Sequence, residues 1–340
     1  MPDSTRRYLI VWLSFCTLLV FAMVLLGGAV RLTGSGLSMV DWNPIMGIIP
    51  PIGEAAWLSV FEEYKAFPEY QLVNRGMSLD EFKFIFVMEY THRVLGRVIG
   101  LLFFVPFLYF LIRGHLETTL KSRLWLLFAL GAVQGGIGWY MVKSGLVDNP
   151  AVSQYRLAMH LLTAVLIYSL MIRVLTGLLP HWNSFDRIAG WDRAGMAVIT
   201  LVLIMIGSGA FVAGTHAGFI YNTFPSMGGE FLPSQAFSMR PWWRNLFDNP
   251  VGVQFVHRLL ALIVFLAVIA YATGIWRQRS SARPGWFALA IVAALLTQLA
   301  MGISTLLLKV PVALGVAHQG GALVLVGTLV FVVSTRLPLL

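Results

Sequence analysis

Two histidine–arginine pairs interrupt long apolar runs: His92–Arg93 in "VMEYTHRVLG" and His257–Arg258 in "GVQFVHRLLAL". Two further histidines, His160 in "YRLAMHLLTAV" and His318 in "LGVAHQGGALV", interrupt other apolar runs. An imidazole inside a membrane is either a metal ligand or an interhelical hydrogen-bonding group, and each histidine taken singly fits both roles. The four share a depth, roughly seven to ten residues into their runs from the same side of the bilayer. Two imidazoles at matched depth on two helices of one bundle are what a haem needs, one above and one below the iron. Zinc or copper is the weaker reading, because such sites want three or four ligands and neither half supplies a third intramembrane histidine.

The neighbours of these histidines suit a flat ligand. One turn on, on the same helix face, stand Gly96, Ala164, Ala261 and Ala322, all small enough to clear a macrocycle. Arg93, Arg97 and Arg258 lie at similar depth, where a guanidinium must be paired or must snorkel. Haem propionates would pair them; lipid headgroups are the competing partner. Glu89 precedes His92 by one turn, whereas the matching place before His257 holds neutral Gln254. An intramembrane acid is a functional candidate, although Glu89 and Arg93 are also spaced for an ordinary i,i+4 ion pair. On this asymmetry, Glu89, His92 and His160 belong to a half that does chemistry, and His257 and His318 to a half that holds an electron-transfer haem.

These residues need helices long enough to carry them across a bilayer. The chain has 340 residues, 58% hydrophobic and only 11% charged, with mean hydropathy +0.79. Eight apolar runs approach the roughly 20 residues a span requires, at about 9–30, 84–112, 124–143, 154–177, 192–213, 251–276, 285–307 and 312–335. The fold expected is an all-α polytopic membrane protein. Arg6, Arg7, Arg113, Lys121, Arg123, Arg173, Arg187, Arg193, Arg277, Arg279, Arg283 and Arg336 fall in the segments that would face inward if the N-terminus is inside. Positive-inside asymmetry then places both termini in the cytoplasm and explains the net charge of +9 without nucleic acid. The first run ends in "GGAVRLTGSG" with no convincing cleavage site, so it reads as a mature helix. No Arg/Ser-rich presequence is evident, and a bacterial inner membrane fits better than organelle import. Cys16 is the single cysteine and, inside the first run, reads as a small buried hydrophobe.

The spans divide into two sets of four. "EYTHRVLGRVIG" pairs with "QFVHRLLALIV", Gln134 and Gly138 with Gln298 and Gly302, and His160 with His318. The order His, Gln, His therefore recurs in each half. Four helices per half keep both halves in the same membrane orientation, as a parallel repeat about an axis along the membrane normal. The expected architecture is two tandem four-helix bundles, residues 1–180 and 181–340.

Longer motifs carry a family likeness. "GGAVRLTGSGLSMVDWNPIMGIIPP" with Arg31, "EEYKAFPEYQLVN", "EYTHR" and "GAFVAG…AGFIYNTFPSMGGEFLP" together resemble haem A synthases of the mitochondrial and alphaproteobacterial branch, through all eight helices. The resemblance implies oxidation of the C8 methyl of haem O to a formyl group by successive hydroxylations, giving haem A for terminal oxidase assembly. It implies that His92 and His160 flank the substrate haem O, that His257 and His318 hold one haem B, and that Glu89 stands near the reacting methyl. The implied partners are a haem O synthase, terminal oxidase assembly factors, an unidentified electron donor and further copies of the chain in a homo-oligomer. Some family members carry a cysteine pair in the first outer loop; this chain has none there, so a thiol relay is not available to it.

Two other classes fit parts of the pattern. An electron-transfer cytochrome shares the bis-histidine sites but usually stacks haems at different depths. A small-molecule transporter suits the repeat but needs broken helices at midplane, whereas the Gly and Pro clusters here sit mostly at span ends.

Overall fold

The computed structural model describes residues 1–40, 49–145, 150–179, 191–277 and 283–335. Arg187, Arg279 and Arg336, part of the charge asymmetry, and the "DWNPIMGI" portion of the first loop lie outside the described residues. The described residues are helical with no named strand. Among the described residues, eight helices are long and apolar enough to cross a membrane: α1 (Asp3–Leu32), α4 (Leu79–Ile112), α5 (Thr118–Lys143), α6 (Gln154–Leu178), α7 (Trp191–Gly214), α8 (Pro250–Arg277), α9 (Arg283–Leu307) and α10 (Val312–Ser334). Two shorter helices, α2 (Glu54–Lys65) and α3 (Pro68–Leu72), lie between α1 and α4.

In hydrocarbon the backbone must satisfy its own polar groups, so apolar runs of this length become helices. Hydroxyls inside them bond back to the preceding turn: Thr17 donates to the Leu13 carbonyl at 2.7 Å, Thr163 to Met159 at 2.8 Å and Thr305 to Met301 at 2.7 Å. Pro106 sits within α4, and the helix continues through it. The helix also begins earlier than hydropathy alone places it. Ser78 caps it, its Oγ accepting from the Glu81 N–H while the Glu81 carboxylate accepts from the Ser78 N–H at 2.8 Å.

Each run of four spans packs as a closed ring. In the first, α1 meets α4, α4 meets α5, α5 meets α6 and α6 returns to α1. In the second, α7, α8, α9 and α10 meet in the same cyclic order. The rings join where α6 packs on α7, α10 on α1, and α6 on α10. The main core fills the second ring and this junction, with Val268, Ile275, Ile291, Val326 and Leu329 fully buried.

The two long connections, between α1 and α4 and between α7 and α8, lie at the same end of the bundle. There α2 and α3 lie over the first turns of α4. Phe61 stacks on Phe82 with ring centroids 4.9 Å apart, Trp57 meets the edge of Phe86 at 5.1 Å, and Tyr64 is fully buried. Beneath them Glu69 accepts from the Tyr64 hydroxyl at 3.1 Å, and Asn74 donates to the same hydroxyl at 2.8 Å. Burial pushes the Glu69 carboxyl up from 4.5 to about 7, with Glu89 adding to the shift and Tyr64 and Arg31 opposing it. A carboxyl raised on docking favours the docked state below its ordinary pKa, and that advantage is lost as pH rises through about 7. Hydrogen exchange of the Trp57–Tyr64 amides, corrected for intrinsic rates, is therefore expected to be faster at about pH 8 than at about pH 5. Glu69→Gln should remove that difference; an unchanged pH dependence in the variant would assign it to another group.

Candidate functional site

All four intramembrane histidines lie in the half of the bundle nearer the long loops, each half-buried. Each rests on a glycine of the neighbouring antiparallel helix. A Cβ built on Gly27 of α1 would stand 3.1 Å from His92 Nε2, and one on Gly138 of α5 3.0 Å from His160 Cε1. One on Gly209 of α7 would stand 3.4 Å from His257 Cε1, and one on Gly302 of α9 2.7 Å from His318 Cε1. The His92, His160 and His318 rings use space that a side chain would occupy, whereas His257 stands at an ordinary contact distance. His92 and His160 stand on helices of the first ring, and His257 and His318 on helices of the second, so each ring holds one pair.

Polar neighbours orient the rings. Ser208 Oγ is 3.1 Å from His257 Nδ1, which leaves Nε2 as the ring's outward nitrogen. Gln134 Nε2 lies 3.1 Å from His160 Nδ1 and donates to the His160 carbonyl at 3.0 Å. Four buried acceptors or ring nitrogens near the sites have no protein partner: Gln134 Oε1, Gln254 Oε1, Gln298 Oε1 and His318 Nδ1. Among the described residues, no three or more His, Cys, Asp or Glu side chains gather as a metal cluster. Two imidazoles per ring is the ligand set of a macrocycle-bound iron, which brings its other four ligands with it.

Glu89 is buried and fully engaged. Its Oε2 accepts from Ser38 Oγ at 2.7 Å and from the Met39 N–H at 2.9 Å, and its Oε1 accepts from Arg93. Arg93 also donates to the Met39 carbonyl at 3.1 Å. The i,i+4 ion pair anticipated from spacing thus forms, and it ties α4 to the segment after α1. In the second ring Gln254 and Arg258 do the same work with opposite polarity. Gln254 donates to the carbonyls of Ala217 at 2.9 Å and Tyr221 at 3.2 Å, and Arg258 to those of Tyr221 and Thr223, each at 2.9 Å. Where the first loop offers donors the sequence has a carboxylate; where the second offers carbonyls it has an amide.

Arg258 is therefore occupied by loop carbonyls, with only its buried Nε lacking a protein partner. Arg97 lies on α4 one turn beyond Arg93, partly buried. Arg31, at the end of α1, reaches across to the second ring, donating to the Ala213 carbonyl at 2.9 Å and lying 3.3 Å from His216 Nε2. His216 stands outside the membrane helices in a left-handed conformation, φ 55°. Burial and the Arg31 charge hold its imidazole below the ordinary value. Cys16 is buried in α1, as a small hydrophobe should be.

Sequence reasoning did not find Ser38, Met39, Ser208 or the roles of the four glycines. A signal for two of the glycines was present, since Gly138 and Gly302 fall at matched places in the repeat, whereas "GGAV" and "SGAF" set Ser208 rather than Gly209 against Gly27.

The whole architecture has relatives. Residues 10–330 match the COX15-CtaA family model, described as cytochrome oxidase assembly protein. The chain is 49% identical over 327 residues to a protein named Heme A synthase from Nitrosospira multiformis, covering 95% of this chain and 91% of that one. Proteins of the same name from Rhodospirillum centenum and Brucella anthropi are 46% and 44% identical, covering 96% and 95% of this chain and 88% and 90% of theirs. With the match running through all eight membrane helices and both histidine pairs, the chain belongs to the COX15-CtaA family.

Proposed function

We propose that the chain is a haem A synthase, oxidising the C8 methyl of haem O to a formyl group. The observation that carries this reading is the pairing of His92 with His160 and of His257 with His318, each ring seated on a glycine. The relatives' printed name supports the substrate and product.

The first ring, residues 1–180, takes the substrate. His92 and His160 clamp haem O from its two faces, which fixes the reacting methyl at the ring edge. Glu89, one turn from His92, is held by Ser38, Met39 and Arg93 before substrate arrives, so its charge needs no reorganisation during reaction. A fixed negative charge beside the ring edge stabilises positive charge developing on the carbon. The first hydroxylation inserts an oxygen atom into a methyl C–H bond, and the second gives a geminal diol that loses water to leave the formyl; with dioxygen as the oxidant, each insertion takes two electrons from the donor and two protons and releases the second oxygen atom as water. Arg93 and Arg97 lie where the substrate's propionates would be neutralised.

The second ring, residues 181–340, holds one haem B through His257 and His318, and that group supplies one-electron transfer when bound. The fit rests on the two seated imidazoles, on Ser208 fixing the His257 ring, and on Arg258, whose unpartnered Nε is a donor for a propionate. The cyclic order of helix contacts, repeated in each ring, supports two tandem bundles about an axis along the membrane normal. The long-loop end faces outward and both termini face the cytoplasm of a bacterial inner membrane, on the charge asymmetry of the loops. A haem O synthase supplies the substrate, the electrons come from a separate donor, terminal oxidase assembly factors take the product, and homo-oligomers are compatible with the lipid-facing surface.

Expression in a haem A-deficient host that makes haem O tests the reading, with extracted haems separated by chromatography. Haem A should appear. Haem absorbance without conversion would indicate an electron-transfer cytochrome, and absence of haem bands a transporter. The glycine seats supply a sharper check on the ligands. Gly302→Ala places a methyl 2.7 Å from the His318 ring and is expected to remove most haem B, whereas Gly209→Ala, at an ordinary 3.4 Å contact, should retain it. Equal haem B content in both variants would count against His318 as a ligand.

A further inference from the structure

The two rings differ in how the second and third helices of each meet. Contact between α8 and α9 is extensive, while α4 and α5 touch over a shorter stretch. That stretch is aromatic and lies toward the short-loop end: Phe104 stacks on Phe128 with centroids 5.0 Å apart, and Phe107 meets the edge of Trp125 at 5.0 Å. Beyond it, toward the histidines, the seam is lined by glycine. Gly100 stands one turn from Phe104 on α4, and Gly131 and Gly135 follow Phe128 at i+3 and i+7 on α5.

On α5, Gly131 and, one turn on, Gly135 face inward rather than away from the protein. Gly131 belongs to the stripe Leu124, Leu127, Gly131, Gln134, Gly138, whose first two members are buried and whose last two touch His160. Yet a Cβ on Gly100, Gly131 or Gly135 would meet nothing within 4 Å, and all three glycines are exposed. The second ring closes the equivalent space. The register that pairs His92 with His257 sets Phe265 against Gly100, and the register that pairs Gln134 with Gln298 sets Leu295 against Gly131. Leu295 is buried in the main core and Phe265 packs against that core. Next to the gap, Gln134 keeps its Oε1 buried without a partner.

We propose that the gap between α4 and α5 beside His92 and His160 is the slot for the isoprenoid tail of haem O, open to lipid along its length. This rests on the reading of the first ring as the haem O site. Haem O differs from haem B in one substituent, an isoprenoid chain joined to the ring through a hydroxyl-bearing carbon. A ring gripped by two imidazoles must send that chain out between helices, and the α4–α5 gap adjoins both of them. The tail passes from bilayer to slot without crossing water, because lipid and slot are equally apolar. The sealed α8–α9 seam suits a haem that lacks the tail and does not leave.

The test compares haem O with tail-less haem B as ligands for the first ring of the purified full-length protein, by titration of the haem absorbance, with His92→Ala defining the first-ring signal. Wild type is expected to favour haem O by about tenfold or more. Gly100→Phe combined with Gly131→Leu transplants the second ring's closure and should reduce the preference to within about twofold, while the His257/His318 haem persists as proof of folding. Should the double variant lose that second haem, the series Gly131→Ala, Val, Leu replaces it, with preference falling as the side chain grows. A preference that survives filling, or a wild type that binds both haems equally, would mean that lipid chains occupy the gap and would overturn the slot while leaving the haem site intact. No first-ring haem in wild type would overturn both.

Discussion

Replacing His92 with alanine is expected to abolish haem A formation while leaving the haem B absorbance of the protein unchanged. Each ring closes through its own four helices, and each histidine pair lies within one ring, so loss of one pair does not unseat the other. Without His92 the substrate would lose one of the two residues proposed to hold it, and a reacting methyl displaced by even about 1 Å reduces turnover by about a hundredfold or more. His160→Ala should behave alike. His257→Ala and His318→Ala should instead strip haem B and stop turnover, because the electron path ends there. Loss of haem B from a folded His92→Ala protein would contradict the pairing.

The second large effect is expected at Glu89. Glu89→Gln preserves shape, and its carbonyl oxygen can still accept from Ser38 and Met39. Its amide then faces Arg93, a donor meeting a donor, where the carboxylate had paired. Removing one member of a buried pair costs up to about 3–5 kcal/mol, although Arg93 keeps the Met39 carbonyl as an acceptor. Loss of a preorganised charge at the reacting group should slow conversion by about a hundredfold. The expected result is stable protein with normal haem B and accumulated haem O or hydroxymethyl intermediate. If protein yield and haem content fall together, Glu89 serves chiefly to tie α4 to the Ser38–Met39 segment. Near-normal haem A output would remove the carboxylate from the reaction altogether.

The eight membrane helices were legible because hydrocarbon admits little else from runs of that length. That His92, His160, His257 and His318 all fall in the half of the bundle nearer the long loops was legible for the same reason: an apolar helix fixes position along its span by residue count. What escaped was everything set by a partner in a loop. Hydropathy missed the first turns of α4, because Ser78, Glu81 and Phe82 are there to cap the helix and pack beneath α2. The exchange of Glu89 for Gln254 was visible as an asymmetry in charge. Its structural side, donors in one loop and carbonyls in the other, depends on backbone groups whose direction no side-chain pattern records. Arg258 shows the same limit, since spacing pointed it at a propionate and the loop carbonyls of Tyr221 and Thr223 take most of its donors. The glycine seats were encoded, but a glycine in a membrane helix reads as general close packing until the ring lying on it is known.

The central claim is that one ring converts haem O while the other keeps haem B. It is tested most directly by purifying the protein from a host that supplies haem O, extracting its haems and counting each per chain by chromatography. The account predicts one haem B per chain, constant in wild type, His92→Ala and Glu89→Gln. It predicts a second haem that is O, hydroxylated or A in wild type, absent or reduced in His92→Ala, and stalled before A in Glu89→Gln. Haem B at both sites of the wild type, with no tailed haem at either, would contradict it.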